Sequence, residues 1–346
     1  MEVEAAAAVL ESGILTSAAR EGGPAVRRLE RAVREFTGAR HAVAVGSGTA
    51  ALHAALLSAG IGHGDEVIVP SFSYVATANA VLASGATPVF ADTGDDHTID
   101  AESVSAAVTP RTRAVMPVHL YGRVARMDEI SDAVAGHNIR IIEDAAQSLG
   151  STIYGRHAGC LSDAGCYSLY PGKVATAGEG GVVVTGSDET YERLLSVRNH
   201  GSGGDTFDTF GLNLRMPEVC AAIGAVQMGK LPRFLGARGR NARTLTRMLE
   251  DSNMGLPRPR KGEEPNWNLY TVTAPDRDTL LEHMNRNGVG AAVYYRVPIH
   301  RMPHYDVGVS LPKTERAADT VLSLPVHPGV DPQDLERISD LAGVPP

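Results

Sequence analysis

The sequence predicts an α/β protein: a large unit built on a mainly parallel sheet covered by helices on both faces, followed by a small α+β unit. Three observations predict it. Short apolar runs (EVIVP, TPVFAD, RAVMPVHL, IRIIED, GCYSLY and GVVVT) alternate with helix-patterned stretches, as parallel strands joined by crossover helices do. Past Arg198 this alternation stops and a Gly-rich loop and a long helical run take over. The chain has 346 residues, more than one hydrophobic core usually holds.

Each element follows from its own pattern. Val26, Leu29, Val33 and Phe36 recur at helical spacing with charges between them, so RRLERAVREF is an amphipathic helix. HAVAVG reads as a strand, after which Ser47-Gly48-Thr49 opens an alanine- and leucine-rich helix through Leu57. Beyond GSGG at 201–204, a helical run extends from Pro217 to about Glu250, with Pro232 expected to kink or break it. The Pro/Arg/Lys/Glu stretch beyond Leu256 reads as a surface connection. NLYTVTA and GAAVYY are strand candidates flanking the helix of TLLEHMNRNG, and a last helix lies near DLERISDLAG.

Composition excludes several classes. Lys and Arg number 32 against 40 Asp and Glu, a net charge of −8, and no basic run suits nucleic acid. No apolar stretch is long enough to span a membrane, and the acidic start MEVEAAAAVLESG has no positive n-region of a secretory signal. Cys160, Cys166 and Cys220 are odd in number and form no CxxC, which fits free thiols in a reducing cytoplasm.

The chemistry centres on residues 163–185, DAGCYSLYPGKVATAGEGGVVVT, whose single lysine is Lys173. It sits on an irregular segment between two strands, with glycines that let backbone or a flat ligand come close. Lysine amines form Schiff bases with carbonyl compounds, pyridoxal 5′-phosphate foremost, while a lone lysine is more often merely solvated. Gly46-Ser47-Gly48-Thr49, between strand and helix, has the form of a phosphate cradle or of an ordinary helix cap. Ser168, five positions before Lys173, can reach the same phosphate. Asp144 ends a strand, where it can partner a pyridine nitrogen, cap a helix or bind a metal. The metal reading fails for want of a Walker A motif, since the one GxxxxGK, at 224–230, lies in an apolar helical pattern. Tyr74, in the loop after EVIVP, can lie flat on a heterocycle or pack in the core. Pro303 prevents His300 and His304 from forming a helical metal pair, and His119 and His200 show no carboxylate partner at ligand spacing, so no metal is proposed.

Taken together, the chain resembles the DegT/DnrJ/EryC1/StrS family of PLP-dependent sugar aminotransferases. The resemblance runs from Ser12-Gly13 and Leu29-Glu30 to SLPVHP at 323–328, through SGTAALHAAL, GDEVIVPSFSYVATANAV, PVHLYG, IEDAAQS, SLYPGK, GEGGVVVT, RNHG and GLNLRMPEVCAAIG. It implies fold type I, with a seven-stranded sheet in a large cofactor domain over 1–215 and a long helix plus small domain over 216–346. It implies that Lys173 carries the cofactor, that Asp144 partners the pyridine nitrogen, and that Gln147 lies near the phenolic oxygen. Tyr74 then stacks on the ring, and Gly48, Thr49 and Ser168 hold the phosphate. Asn213 and Arg215 match residues lent across a homodimer with shared sites, for cofactor and substrate, and Tyr295 and His300 fit a substrate-side loop. The implied reaction moves an amino group from an amino acid, L-glutamate, to a ketone on a nucleotide-linked sugar.

The chain departs from the family at SAAREGGPA before Val26 and at Asn268, where many members have His. Two alternatives accompany this reading. A sugar dehydratase of the same fold has histidine in place of the lysine, and Lys173 argues against it. A PLP-binding regulatory protein without turnover is the other.

Overall fold

A computed structural model describes residues 1–203, 206–305 and 308–343. The glycine run at 201–204 therefore ends just outside the described residues. The chain opens with helix α1 (Glu2–Ser12), which the sequence reading had taken only as an acidic start. It docks on a later helix through Glu2, which accepts from Gln227 Nε2 at 2.7 Å and pairs with Lys230. Helix α2 (Pro24–Thr37) follows, with Val26, Leu29 and Val33 buried as its spacing predicts, Pro24 at its start and Gly38 closing it at φ 75°.

The large unit then alternates as expected: β1 (His41–Val45), α3 (Gly48–Ser58), β2 (Glu66–Pro70), α4 (Ala76–Ala83), β3 (Thr87–Ala91), α5 (Ala101–Ala107), β4 (Thr112–Val115), α6 (Met127–Ala133) and β5 (Arg140–Asp144). A small hairpin of β6 (Thr152–Ile153) and β7 (Arg156–His157) precedes β8 (Ala164–Ser168), β9 (Gly181–Thr185) and α7 (Asp188–Arg198). The seven main strands lie in the order β1-β9-β8-β5-β4-β2-β3. Only β9 runs against the rest, antiparallel to both β1 and β8.

Successive residues of a strand face opposite sides, so a strand between two helical layers must be apolar throughout. Val43, Val45 and Val183 enter the core under α3 and α7, while Ala42, Ala44, Val182 and Val184 enter the core under α2. The sheet is thus the mainly parallel, doubly covered one that the apolar runs predict.

Helix α8 (Glu218–Met248) runs on through Pro232 without the break that the proline could have made. Packing explains this. Its first half is held against α1 and α2 through Ala221, Ala222, Met228 and Leu231, and its second half enters another core through Ala242 and Leu245. Both ends are therefore fixed whether or not one backbone bond is missing at the proline.

That second core gathers β11 (Tyr270–Thr273), α9 (Arg277–Arg286), β12 (Val321–Leu324) and α11 (Pro332–Gly343), with α10 (Pro312–Thr320) between α9 and β12. The partner of β11 is β12. GAAVYY, expected as a strand, makes only an isolated bridge, Ala292 with Ser323, on the edge of β12 that faces away from β11. The segment beyond Leu256 is more than a surface connection. It forms β10 (Glu263–Glu264) on β6, and buried Glu263 receives Arg123 Nη2 at 2.8 Å and the Val124 N–H at 2.9 Å.

Candidate active site

Because β1, β2, β4, β5 and β8 share one direction, their C-terminal ends open on one edge of the sheet, where ligands of such sheets bind. The loops after these strands, and the one after β3, which runs the same way, leave from that edge. The loop after β8 carries Lys173. It is pinched at its base, where Leu169 O accepts from Ala177 N at 2.8 Å and Leu169 N donates to Gly180 O at 2.8 Å, and the Lys173 N–H closes a turn onto Tyr170 O at 2.9 Å. The Lys173 amine is half-buried and has no hydrogen bond or ion pair among the described residues. Burial lowers its pKa, and the negative charge of Asp144 opposes this only in part. A lowered amine pKa gives more of the neutral, nucleophilic form near neutrality.

Asp144 closes β5 and is 5% exposed. Its carboxylate accepts from Thr77 Oγ1 at 2.8 Å and Ala146 N at 3.2 Å. Ser73 Oγ lies 2.9 Å from Thr77 Oγ1, so the Thr77 proton is directed at Asp144 while Ser73 donates to Thr77. Burial nonetheless pushes the Asp144 carboxyl up, more than those two donors, Lys173 and His119 draw it down. Such a carboxylate lacks a cation at its face, and a protonated pyridine nitrogen is one that fits.

The cradle forms where β1 turns into α3. The Ser47 side chain accepts from Ala50 N at 3.1 Å, which leaves the first helical N–H groups, at Gly48 and Thr49, pointing out of the helix end. Ser168, at the end of β8, lies directly against this turn: a Cβ on Gly48 would fall 2.8 Å from Ser168 Cβ and 3.0 Å from its Oγ. Only glycine allows that approach, so Gly48, Thr49 and Ser168 face one space suited to an anion. Lysine, cation-seeking carboxylate and anion cradle together fit pyridoxal 5′-phosphate.

Gln147 is fixed at both ends of its amide, with Oε1 accepting from Tyr121 N at 2.8 Å and Nε2 donating to the Tyr295 hydroxyl at 2.6 Å. Tyr295 packs edge-on against Phe72 and stacks on Tyr121, and burial raises its phenol above the ordinary value. Tyr74 stands 63% exposed at the mouth.

Three expected residues stand apart from this group. The main chain at 213–215 is clamped to its own β1 turn by Gly46 N to Leu214 O at 2.9 Å, Asn213 is exposed, and Arg215 Nη1 donates to Asn199 Oδ1 at 2.6 Å. His300 has no exposed surface: Nδ1 lies 2.6 Å from Ser71 Oγ and Nε2 3.2 Å from Glu315. Both its nitrogens are engaged, one tying the 299–301 turn to the loop after β2 and the other tying it to α10.

Sequence reasoning missed Thr77 and Tyr121, although both lie in quoted motifs, and it found no partner for His119. In the structure His119 Nε2 lies 2.7 Å from Glu143, and its Nδ1 accepts from Ala125 N at 2.9 Å, so Nε2 carries the proton. Among the described residues no three His, Cys, Asp or Glu side chains gather as a metal would need.

Fold and site define an enzyme of fold type I that uses pyridoxal 5′-phosphate to transfer amino groups. The chain belongs to the DegT/DnrJ/EryC1/StrS aminotransferase family, whose pattern it matches over residues 1–341. It is 40% identical to the dTDP-3-amino-3,4,6-trideoxy-alpha-D-glucose transaminase of Streptomyces venezuelae over 326 residues, 92% of this chain and 86% of that one. It is 38% identical to the UDP-N-acetyl-3-dehydro-alpha-D-glucosamine 3-aminotransferase of Acidithiobacillus ferrooxidans, over 90% of this chain and 86% of the relative. Among solved structures, S. venezuelae DesV in complex with a ketimine intermediate superposes with a TM-score of 0.93 at 39% identity, covering 98% of this chain and 92% of DesV.

Proposed function

We propose that this aminotransferase takes an amino group from an amino acid, L-glutamate, and delivers it to a ketone on a nucleotide-linked sugar. The observation that carries the reading is the pairing at one strand edge of an unpaired, half-buried Lys173 amine with a buried Asp144 carboxylate that lacks a cation. The relatives' names, one for a dTDP-linked and one for a UDP-linked sugar, support the acceptor class.

When bound, pyridoxal 5′-phosphate supplies an electron sink for the carbanion formed at the donor's α-carbon. Gly48, Thr49 and Ser168 hold its phosphate, and Asp144 keeps its ring nitrogen protonated. Gln147, fixed between Tyr121 and Tyr295, lies toward its phenolic oxygen, and Tyr74 covers the ring from the mouth. Lys173 holds the cofactor by its amine. Once displaced by the donor, the neutral Lys173 amine takes the proton from the α-carbon and returns one to the acceptor carbon in the second half-reaction. The test is to load the pyridoxamine form, offer a panel of 3-keto and 4-keto nucleotide sugars and identify the product by mass spectrometry. An aminated nucleotide sugar is expected, and turnover only with keto compounds that carry no nucleotide would overturn the acceptor class.

The same reading makes the active unit a homodimer in a reducing cytoplasm, with 1–215 as cofactor domain and 216–346 as connecting helix and small domain. Phe207 and Phe210, 74% and 69% exposed beside Asn213 and Arg215, support a partner surface there. If Asn213 and Arg215 act across it, inactive Lys173→Ala and Arg215→Ala chains should regain about a quarter of wild-type activity on subunit exchange. Proven exchange without recovery would remove Arg215 from the shared site.

A further inference from the structure

Across Tyr121 from the catalytic chamber, a cleft lies between the turn after β3 and the strand β11. Its inner part is a cavity of about 150 Å³ walled by His97, Tyr121, Trp267 and Leu269. It adjoins an outer hollow of about 330 Å³ reached by Lys313 and Arg316, and Asp95, His97, Gly255 and Thr273 border both. Lys173, Asp144, Gln147, Gly48 and Ser168 line neither space.

The polar groups around the cleft divide into those already engaged and those left over. Asp96 is committed to Arg126 Nε at 3.0 Å and to Thr98. Arg123 is committed to Glu263. Among the groups with no hydrogen bond or ion pair among the described residues are the Tyr121 hydroxyl, on a side chain only 4% exposed, the exposed Asp95 carboxylate at the junction, and the exposed Arg316 guanidinium at the outer end. Lys313 stands beside Arg316, 4.0 Å from Asp100. A buried hydroxyl without a partner calls for one.

We infer that this cleft binds a nucleoside 5′-phosphate. The order of groups along it matches such a molecule. An aromatic and apolar wall with one buried hydroxyl takes a heterocyclic base, since the inner cavity has room for about five waters' volume. A free carboxylate at the junction receives ribose hydroxyls, as carboxylates do in dinucleotide folds. Two cations at the open end take the phosphate, Arg316 in a bidentate fashion. Tyr121 links this cleft to the catalytic chamber, because its ring stacks on Tyr295, 6.1 Å between centroids, and Tyr295 holds Gln147. The inference does not rest on the proposed acceptor, since Lys173 does not line the cleft and the probe carries no keto sugar.

Trp267 is the chain's one tryptophan, so its fluorescence reports on the cleft alone. Holoenzyme titrated with uridine 5′-monophosphate should show a saturable change in that fluorescence. Arg316→Gln, an exposed position that leaves the fold intact, should weaken binding about tenfold, as should offering uridine without phosphate, and Tyr121→Phe should weaken it severalfold. Ser168→Ala, in the cofactor cradle, should leave the affinity as it was. UDP-glucose in the same titration separates the two sources of the ligand: equal affinity assigns the cleft to the head of a nucleotide sugar, and exclusion assigns it to free nucleotide. No saturable change with the monophosphate overturns the inference. So does a change that survives both Arg316→Gln and Tyr121→Phe at full affinity, or one that Ser168→Ala abolishes.

Discussion

Two carboxylates stand side by side on β5 and face opposite ways. Glu143 accepts four hydrogen bonds, from His119 Nε2, Gly159 N, Leu161 N and Ser162 Oγ, all at 2.9 Å or less. Asp144 accepts two, and burial pushes its pKa up. Both are buried, so burial does not distinguish them. What differs is how far each negative charge is met by the protein itself. Glu143 has its full set of donors and fastens the hairpin loop and the β4 end to β5. Asp144 keeps a face open to the strand edge where Lys173 waits. One carboxylate is spent on the fold, and the other is held in readiness for a cation that the chain does not provide.

This contrast can be broken by exchanging effects between the two. Asp144→Ala should lower turnover by about a thousandfold, the upper end of what one electrostatic group supplies, while the phosphate cradle still retains cofactor. Steady-state kinetics on the cofactor-saturated variant reads this directly, and near-normal turnover would end the proposed role. Glu143→Gln should do the reverse. It keeps the volume but sets an amide N–H against donors, so it should cost about 2–4 kcal/mol in urea unfolding. Its turnover per folded molecule should stay within about tenfold of wild type, the allowance for a loop less firmly held. A Glu143 variant as inactive as the Asp144 one, yet fully stable, would show that the two carboxylates are not divided in this way.

Much of this was legible in the sequence, for reasons that can be named. Strands buried on both faces are apolar throughout, so EVIVP and GVVVT announced themselves. The placement of Lys173 and Asp144 at the ligand edge was legible because one follows a strand and the other ends one, and strand ends place side chains there whatever the loops do. The unread features depend on partners distant in the chain. Gln147 and Tyr295 are 148 residues apart, and His119 and Glu143 are 24 apart with no periodicity joining them. A break at Pro232 stayed open because a local rule about the missing N–H says nothing of the packing that holds both halves of α8. GAAVYY has strand composition, but only Ala292 reaches the free edge of β12, in an isolated bridge. His300, a substrate candidate by motif, turned out to have both nitrogens engaged, which only its surroundings reveal.

The central claim, that the charge of Asp144 is left for a bound cation, has a direct thermodynamic test. A carboxyl whose folded pKa is raised makes the empty protein more stable as pH falls, and its penalty grows with pH from the ordinary carboxylate value up to the folded pKa. Melting curves of wild type and Asp144→Asn, each with and without pyridoxal 5′-phosphate, measure it. Without cofactor at neutral pH the Asn variant should melt a few degrees above wild type, and the gap should close as pH falls through the folded pKa toward the ordinary carboxylate value of about 4. With cofactor, wild type should gain more than the variant does. An empty Asn variant that melts no higher than wild type, together with equal gains on adding cofactor, would contradict the account.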